Sequence, residues 1–161
     1  MLVHYGNGDF DKAILFAEKA VQQAASKFGT LDSTHAEYLG DLGFFHYQKD
    51  QLERALTNFQ QACKIEAQLF GKRHPAYMES LNSLAAAHLR LGDHEQAEAL
   101  FLELLALEAQ NPTLEGYDYT LTPTNLGAFY LEQGAYEKAE AYLKQALELL
   151  NHSSTDQMPL L

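Results

Sequence analysis

Apolar residues recur along this chain at the three- and four-residue spacing of amphipathic helices. In residues 75–91 one helical face carries Leu81, Leu84, Ala85 and His88. In residues 94–110 the corresponding face carries Ala97, Leu100, Phe101, Leu104 and Leu107. Gly92 and Asp93 separate the two stretches and are typical turn residues. The pattern therefore predicts a pair of antiparallel helices, A over 75–91 and B over 94–110.

The same arrangement returns after a shift of 42 residues. The turn position carries Gly8, Asp50, Gly92 and Gly134, and an alanine position on helix B carries Ala13, Ala55, Ala97 and Ala139. On helix A, a leucine is followed each time by a small residue: Leu42-Gly43, Leu84-Ala85 and Leu126-Gly127. A larger position on helix B carries Ala17, Phe59, Phe101 and Leu143. Small residues let two helices approach closely, and the large ones are expected to fill the space toward the next helix.

One helix pair cannot bury its apolar face alone, so the copies are expected to stack. The fold class predicted is all-α, an α-solenoid of stacked antiparallel helix pairs with about three and a half repeats. It would occupy residues 1–151, with a partial repeat at 1–31 and repeats at 32–73, 74–115 and 116–151. His4 and Tyr5 align with the end of a helix A whose front is missing. Residues 152–161 are expected to form a flexible C-terminal tail, which leaves the last repeat uncapped.

Three local features carry further expectations. Capping boxes are predicted at helix starts, in Thr34 with Glu37, Asp50 with Glu53, and Asp93 with Gln96. In the last repeat, Pro123 predicts a late start of helix A, with Thr122 as N-cap and Pro123 at the first helical position. Residues 111–121 lack the Phe-Gly pair of the earlier connections, so that connection should differ in shape.

The repeat resembles the tetratricopeptide repeat family, whose usual unit is about 34 residues. The resemblance rests on the stretches 81–85 (LNSLA), 91–93 (LGD) and 130–140 (YLEQGAYEKAE), and the 42-residue length is similar to kinesin light chain repeats. It implies a right-handed superhelix whose A helices line a concave groove. In proteins of this kind that groove binds extended or helical peptides.

Transferring the groove positions onto this chain implies the following partner-binding residues: Phe44, Tyr47, Gln48, Glu79, Asn82, Leu89, Arg90, Thr124, Asn125 and Leu131. Asparagine side chains donate and accept at once, which suits a peptide backbone. Phe44, Tyr47 and Leu89 offer apolar anchors. The alternative is that Asn82 hydrogen-bonds within the stack and that Tyr47 is partly buried.

The charge balance narrows the range of partners. There are 11 basic and 22 acidic side chains, a net charge of −11, which disfavours nucleic acid and anionic membranes. A protein or peptide that is neutral or basic fits better. Among the matching groove positions only Arg90 is basic, so neither a carboxylate clamp nor the acidic-cargo binding of kinesin light chains is supported.

The histidines and the single cysteine are the candidate catalytic or metal-binding residues. His4, His46 and His88 share one repeat position with Tyr130, but stacked helices lie about 10 Å apart, too far to share one ion. We interpret this column as packing residues. Cys63 has no evident base beside it, and no phosphate-binding loop or nucleophile motif occurs. The sequence therefore predicts no enzyme, no metal and no cofactor, and its lone cysteine favours a reducing, cytoplasmic location.

The predicted function is a protein–protein interaction scaffold that binds a peptide or partner protein in the concave groove. Two alternatives remain open at this stage. One is a peptide-sensing regulatory module, and the other is a self-association module that forms homo-oligomers through uncapped solenoid ends.

Overall fold

The computed structural model describes residues 9–155, with side chains to Asn151. That part of the chain contains seven α-helices and no strand, so the fold is an all-α helical repeat solenoid. The helices are α1 (Phe10–Phe28), α2 (Ser33–Gln48), α3 (Leu52–Phe70), α4 (Pro75–Leu91), α5 (His94–Gln110), α6 (Leu121–Glu132) and α7 (Tyr136–Thr155). The bounds of α4 and α5 agree with those predicted from the hydrophobic spacing.

The helices pack in chain order, each against the next, and the A helices also contact one another. Thus α2 touches α4, and α4 touches α6, so these three helices form one layer beside the layer of α1, α3, α5 and α7. The main core runs from α3 to α7 and includes Met78, Leu104 and Leu126. Phe101, at the large position of helix B, is completely buried within it.

The predicted close approach of two helices at a small residue is confirmed where α2 meets α3, and Phe59 lies directly against Gly43 there. A β-carbon built at Gly43 would lie 2.7 Å from Cε1 of Phe59, closer than side chains tolerate. The equivalent contact in the last repeat is between Gly127 and Leu143, where the distance to Cδ2 would be 2.6 Å. The missing side chains therefore set the distance between the two helices of these pairs.

The turn between helices A and B has a left-handed backbone conformation at the same position in each described repeat. The φ angles are 59° at Asp50, 85° at Gly92 and 71° at Gly134. The next residue donates its N–H to a carbonyl five residues back, as in Asp93 to His88 at 3.0 Å. This bond closes the end of helix A in a Schellman-type arrangement.

The predicted capping boxes are wrong. Helix α2 is capped by Asp32, whose side chain accepts from the N–H of Thr34 at 2.8 Å. Gln51 precedes α3 and Asp93 precedes α5. Neither of these two side chains accepts a hydrogen bond from the first turn of its helix. Both side chains are instead engaged by a histidine at the end of the preceding helix. His46 Nδ1 lies 2.7 Å from Gln51 Oε1, and His88 Nδ1 lies 3.0 Å from Asp93 Oδ2.

The last helix A also starts differently from the prediction. It begins at Leu121 after Thr120, so Pro123 is its third residue rather than its first. The missing N–H of a proline is still harmless there, because the first four N–H groups of a helix have no helical partner. Thr122 is not the N-cap: it is buried, and its hydroxyl donates to Glu108 at 2.6 Å.

The connection that precedes this helix has its own shape, as expected. Residues 111–120 hold Gly116 at a φ of 74°. The Tyr119 hydroxyl donates to the Asn111 carbonyl and accepts from the N–H of Leu114 at 2.7 Å.

The two ends of the chain are only partly described. Helix α7 continues to Thr155, so the first residues of the expected tail 152–161 are helical. The rest of that tail, residues 156–161, and the expected partial helix with His4 and Tyr5 lie outside the described residues. None of the described helices is long and apolar enough to cross a membrane.

Candidate functional site

A cavity of about 530 Å³ opens between α2 and α4, with α3 forming its floor. Helix α2 presents Glu37, Gly40, Asp41 and Phe44, and α4 presents Ala76, Glu79, Ser80 and Ser83. The floor is made by Phe59, Glu66 and Phe70 of α3. Spacings of three and four residues bring each set onto one face of its helix. Two of the residues expected to bind a partner, Phe44 and Glu79, therefore face one cavity.

Small residues keep this cavity open. A β-carbon at Gly40 would meet no other heavy atom within 4 Å. Ala36, Ala76 and Ser83 add short side chains to the same walls. The A helices thus leave a space at this end, although α2 and α3 pack closely at Gly43.

The cavity is acidic. Four carboxylates line it, and no lysine, arginine or histidine does: the four are Glu37, Asp41, Glu66 and Glu79. Solvent loss, followed by the charge of Glu37 one turn earlier, raises the pKa of Asp41. Burial raises the pKa of Glu66 as well; a hydrogen bond from Ser80 opposes that shift, and the charge of Glu79 adds to it.

Glu66 is the unusual member of this group. Only 6% of its surface is exposed, and its Oε2 atom has no hydrogen-bond partner among the described residues. A buried carboxylate oxygen without a donor is costly, which is why buried carboxylates are normally paired.

Glu108 occupies the same repeat position, 42 residues later, and accepts two hydrogen bonds on one oxygen. Its Oε1 accepts from the Tyr117 hydroxyl at 2.9 Å and from the Thr122 hydroxyl at 2.6 Å. Thr122 is equivalent to Ser80, but the position equivalent to Tyr117 is Pro75, which has no hydroxyl. One repeat therefore closes over its buried glutamate, whereas the repeat before it leaves the glutamate facing a cavity.

A second group of the expected binding residues lies at the opposite end of α2 and α4. Arg90 donates through Nη1 to the Tyr47 carbonyl at 2.9 Å, and its guanidinium lies 4.4 Å from the centre of the Tyr47 ring. Tyr47 and Leu89 are half-buried against the main core, while Gln48 is exposed. Much of the hydrogen-bonding capacity of Arg90 is thus used within the stack.

The remaining expected residues lie on or against α6. Asn125 Nδ2 donates to Asn82 Oδ1 at 2.9 Å, so the two asparagines pair with each other across α4 and α6. Thr124 is exposed, and its hydroxyl donates to the Thr120 carbonyl at 2.6 Å. Leu131 borders a shallow depression at the α7 end, next to Tyr136 and Leu143. The ten expected residues are therefore distributed over three places rather than one.

The histidines and the cysteine do not form a reactive group in the described part of the chain. His46 and His88 each bridge the turn to the residue directly before helix B, as described above, and no cluster of three or more His, Cys, Asp or Glu in the described residues could hold a metal ion. Burial, followed by the charge of Glu66, raises the pKa of the Cys63 thiol to about 12. Such a thiol is almost entirely protonated at neutral pH and is a poor nucleophile.

Glu66 was not among the candidate site residues predicted from the sequence. A signal was available. Glu66 and Glu108 recur after one repeat, and each directly follows a hydrophobic residue, Ile65 or Leu107, on the inward side of its helix. An acidic residue repeated on a buried face indicates a paired or functional carboxylate.

The chain belongs to the tetratricopeptide repeat family. Two family models described as tetratricopeptide repeat match it, one over residues 34–108 and the other over residues 124–151. Members of this family stack helix pairs into solenoids that serve as protein-interaction modules. A comparison with curated proteins finds no match.

Solved structures show the same fold. BtubC (BKLC) from P. vanneervenii is 24% identical with a TM-score of 0.80, and the match covers 94% of this chain and 60% of that one. A kinesin light chain-like protein of Podosopora anserina with nearly identical TPR-like repeats is 20% identical with a TM-score of 0.70, covering 95% and 71%. MamA is 17% identical with a TM-score of 0.63, covering 91% and 81%. This chain thus spans only 60% of the length of BtubC, and at these identities the likeness concerns the fold alone.

Proposed function

We propose that this chain is a non-catalytic interaction scaffold that binds a peptide segment of a partner protein between its A helices. The observation that carries the proposal is the open cavity of about 530 Å³ between α2 and α4. Its size is in the range of known ligand sites, and it combines exposed aromatic and charged side chains. The family supports protein binding in general, because tetratricopeptide repeats serve as interaction modules.

The composition supports a location for this protein and a charge for its partner. We place the protein in the cytoplasm, since its one cysteine is buried and reduced. The net charge of −11 favours a neutral or basic partner over nucleic acid or an anionic membrane. We do not transfer the cargo of kinesin light chains, because the resemblance to those structures rests on the fold.

A peptide selection tests the proposal. A random library of twelve-residue peptides is selected on the natural chain, and binders are titrated against Gly40→Leu and Ala99→Leu variants. The leucine at position 40 would project into the cavity, where no atom lies within 4 Å of its β-carbon. Ala99 is exposed on α5, outside the cavity lining, so its leucine variant is a matched control.

We expect binding to the natural chain and to Ala99→Leu, and loss with Gly40→Leu. Peptides that bind all three proteins equally would place the site outside the cavity and contradict the proposal. Circular dichroism of both variants separates loss of binding from loss of folding.

Self-association through the α7 end is a second candidate. Leu143 is 38% exposed, although Phe59 and Phe101 at the same repeat position are 3% and 0% exposed. Leu147, one turn further on, is 57% exposed. In the inner repeats the next helix A covers the face of helix B that carries this position. The corresponding apolar face of α7 is exposed and is therefore suited to a protein contact.

A further inference from the structure

We propose that the cavity between α2 and α4 is a receptor for an arginine side chain of the bound peptide, with the guanidinium held by Glu66 and the surrounding carboxylates. This inference rests on the proposed function and specifies the partner: a peptide that presents an exposed arginine. Arginine is the side chain that combines a permanent charge, several donors in one plane and an affinity for aromatic faces.

The first argument is the unpaired oxygen of Glu66. Glu66 is 6% exposed, and Ser80 donates a hydrogen bond to its carboxylate. Its Oε2 atom lacks a donor among the described residues while the side chain forms part of the cavity floor. Oε2 is itself buried, so a guanidinium in the cavity would supply the missing donor once the carboxylate turns toward it, and its charge would offset the cost of burying the carboxylate.

The second argument is the contrast with Glu108 at the same repeat position. There the protein supplies two hydroxyl donors, from Tyr117 and Thr122, and both reach Oε1. At Glu66 the tyrosine is replaced by Pro75, which has no hydroxyl, so one of these two donors is missing. The two glutamates, which are similarly buried, thus compare a carboxyl group that receives two hydroxyl donors with one whose Oε2 receives none from the described residues.

The third argument is the charge of the walls. Every titratable side chain that lines the cavity is acidic: Glu37 and Asp41 come from α2, Glu66 from α3 and Glu79 from α4. Their mutual repulsion raises the pKa of Asp41 and of Glu66 in addition to burial. A bound cation relieves that repulsion, whereas an anionic ligand would increase it.

The fourth argument is the aromatic lining. Phe44 and Phe70 are 45% and 44% exposed, and both line the cavity. The Phe70 ring is also stacked on His74 with 4.4 Å between ring centres, which restricts its orientation. Exposed rings beside carboxylates accommodate a guanidinium plane and its methylene stem better than a compact, strongly hydrated ammonium.

The test uses the full chain and small probes observed by NMR. N-acetyl-argininamide, N-acetyl-lysinamide and N-acetyl-citrullinamide are each titrated into the ¹⁵N-labelled protein. The citrulline probe has nearly the shape of arginine but no charge. The protein variants are Glu66→Gln, which removes the buried charge, and Glu148→Gln, which removes the same charge from an exposed position on α7.

We expect the arginine probe to shift the backbone signals of residues around the cavity and to bind more tightly than the lysine probe. We expect the citrulline probe to have no effect. Glu66→Gln should weaken binding by about tenfold, since a hydrogen bond between charged groups is lost, and Glu148→Gln should change it less than twofold. Equal binding of arginine and citrulline, equal binding of arginine and lysine, or equal affinity of the two variants would each overturn the inference.

Failure of this inference can be distinguished from failure of the proposed function. A selected peptide that binds the natural chain, is lost with Gly40→Leu and contains no arginine would overturn the arginine receptor and leave the peptide scaffold intact. Absence of any selected peptide, together with no response to the arginine probe, would count against both.

Discussion

The guanidinium of Arg90 reaches back across one repeat and donates a hydrogen bond of 2.7 Å to the carboxylate of Asp50. Its other terminal nitrogen donates to the Tyr47 carbonyl, three residues before Asp50. Asp50 is also the only described non-glycine residue with a positive φ, at 59°. Arg90 therefore attaches α4 to the turn between α2 and α3 and stabilises a backbone conformation that glycine adopts in the other described repeats.

Substitutions at Asp50 should separate the ion pair from the backbone strain. Asp50→Ala loses the contact to Arg90 and keeps a β-carbon in the left-handed region, whereas Asp50→Gly loses the contact and removes the strain. We expect Asp50→Ala to be less stable than Asp50→Gly by about 1 kcal/mol, because both variants lose the ion pair and only alanine keeps a β-carbon at a positive φ. Urea denaturation measures both variants. Equal midpoints would show that the φ angle at this position costs nothing.

Two alanine substitutions in α2 should have opposite effects. Gly43→Ala places a methyl group 2.7 Å from the Phe59 ring and should destabilise the protein by about 1–3 kcal/mol through overpacking. Gly40→Ala, three residues earlier, meets no atom within 4 Å and should stabilise by up to about 1 kcal/mol through helix propensity. Urea midpoints with unchanged slopes would report both effects. Destabilisation by both substitutions would argue against the packing at Gly43 as the cause.

Glu66→Gln should stabilise the protein at neutral pH. Burial raises the pKa of Glu66 in the folded state above its usual value of 4.5, so the folded protein binds this proton more tightly than the unfolded chain does. The stability associated with protonated Glu66 is complete below pH 4.5 and is lost as the pH rises through the folded pKa. The amide variant carries no charge at any pH, so it should unfold at a higher temperature than the natural protein at pH 7.

The pH profile of this variant provides its control. Thermal unfolding of Glu66→Gln and of the natural chain should converge as the pH falls toward 4.5, because Glu66 is then protonated in the natural protein too. Glu148→Gln, at an exposed position, should follow the natural protein at every pH. A variant less stable than the natural chain at pH 7 would mean that ionised Glu66 is favourably paired in solution.

Cys63 should react slowly with thiol reagents in the folded protein. With a pKa raised to about 12 by burial, only about one thiol in 10⁴ is ionised at pH 8. We expect labelling by 5,5′-dithiobis(2-nitrobenzoate) to follow the opening of the structure and to become rapid in 6 M guanidinium chloride. One equivalent released at once from the folded protein would contradict the buried position of this side chain.

A single charged substitution on the exposed apolar face of α7 should weaken self-association of the chain. If the chain self-associates there, its mass should rise with concentration in analytical ultracentrifugation, and Leu147→Glu should shift it toward the monomer. The half-exposed Leu69, on α3, supplies a matched Leu69→Glu control that should leave the mass unchanged. Association that resists Leu147→Glu and is lost with Leu69→Glu would move the interface away from α7.

The 42-residue repeat was sufficient to predict the fold from the sequence, because helix formation and helix stacking depend on residues that recur with this period. The apolar spacing in 75–91 and 94–110 predicted the bounds of α4 and α5, and the small residue Gly43 predicted the close approach of α2 and α3. The capping boxes failed for a local reason. A capping residue can bond to its own helix or to another side chain: His88 engages Asp93, and Arg90 engages Asp50. At α2 the cap is Asp32, two residues before Thr34.

The sequence by itself determined the helix pairs, their order and the acidic charge, since these follow from residue type and spacing. The tertiary structure alone decided which acidic residues act together. Glu66 and Glu108 are identical in type and in repeat position, yet one faces a cavity and the other is closed by the connection before α6. The physical reason is that the cost and the use of a buried charge depend on donors contributed by other parts of the chain, and Tyr117 reaches Glu108 only once residues 111–120 have folded over it.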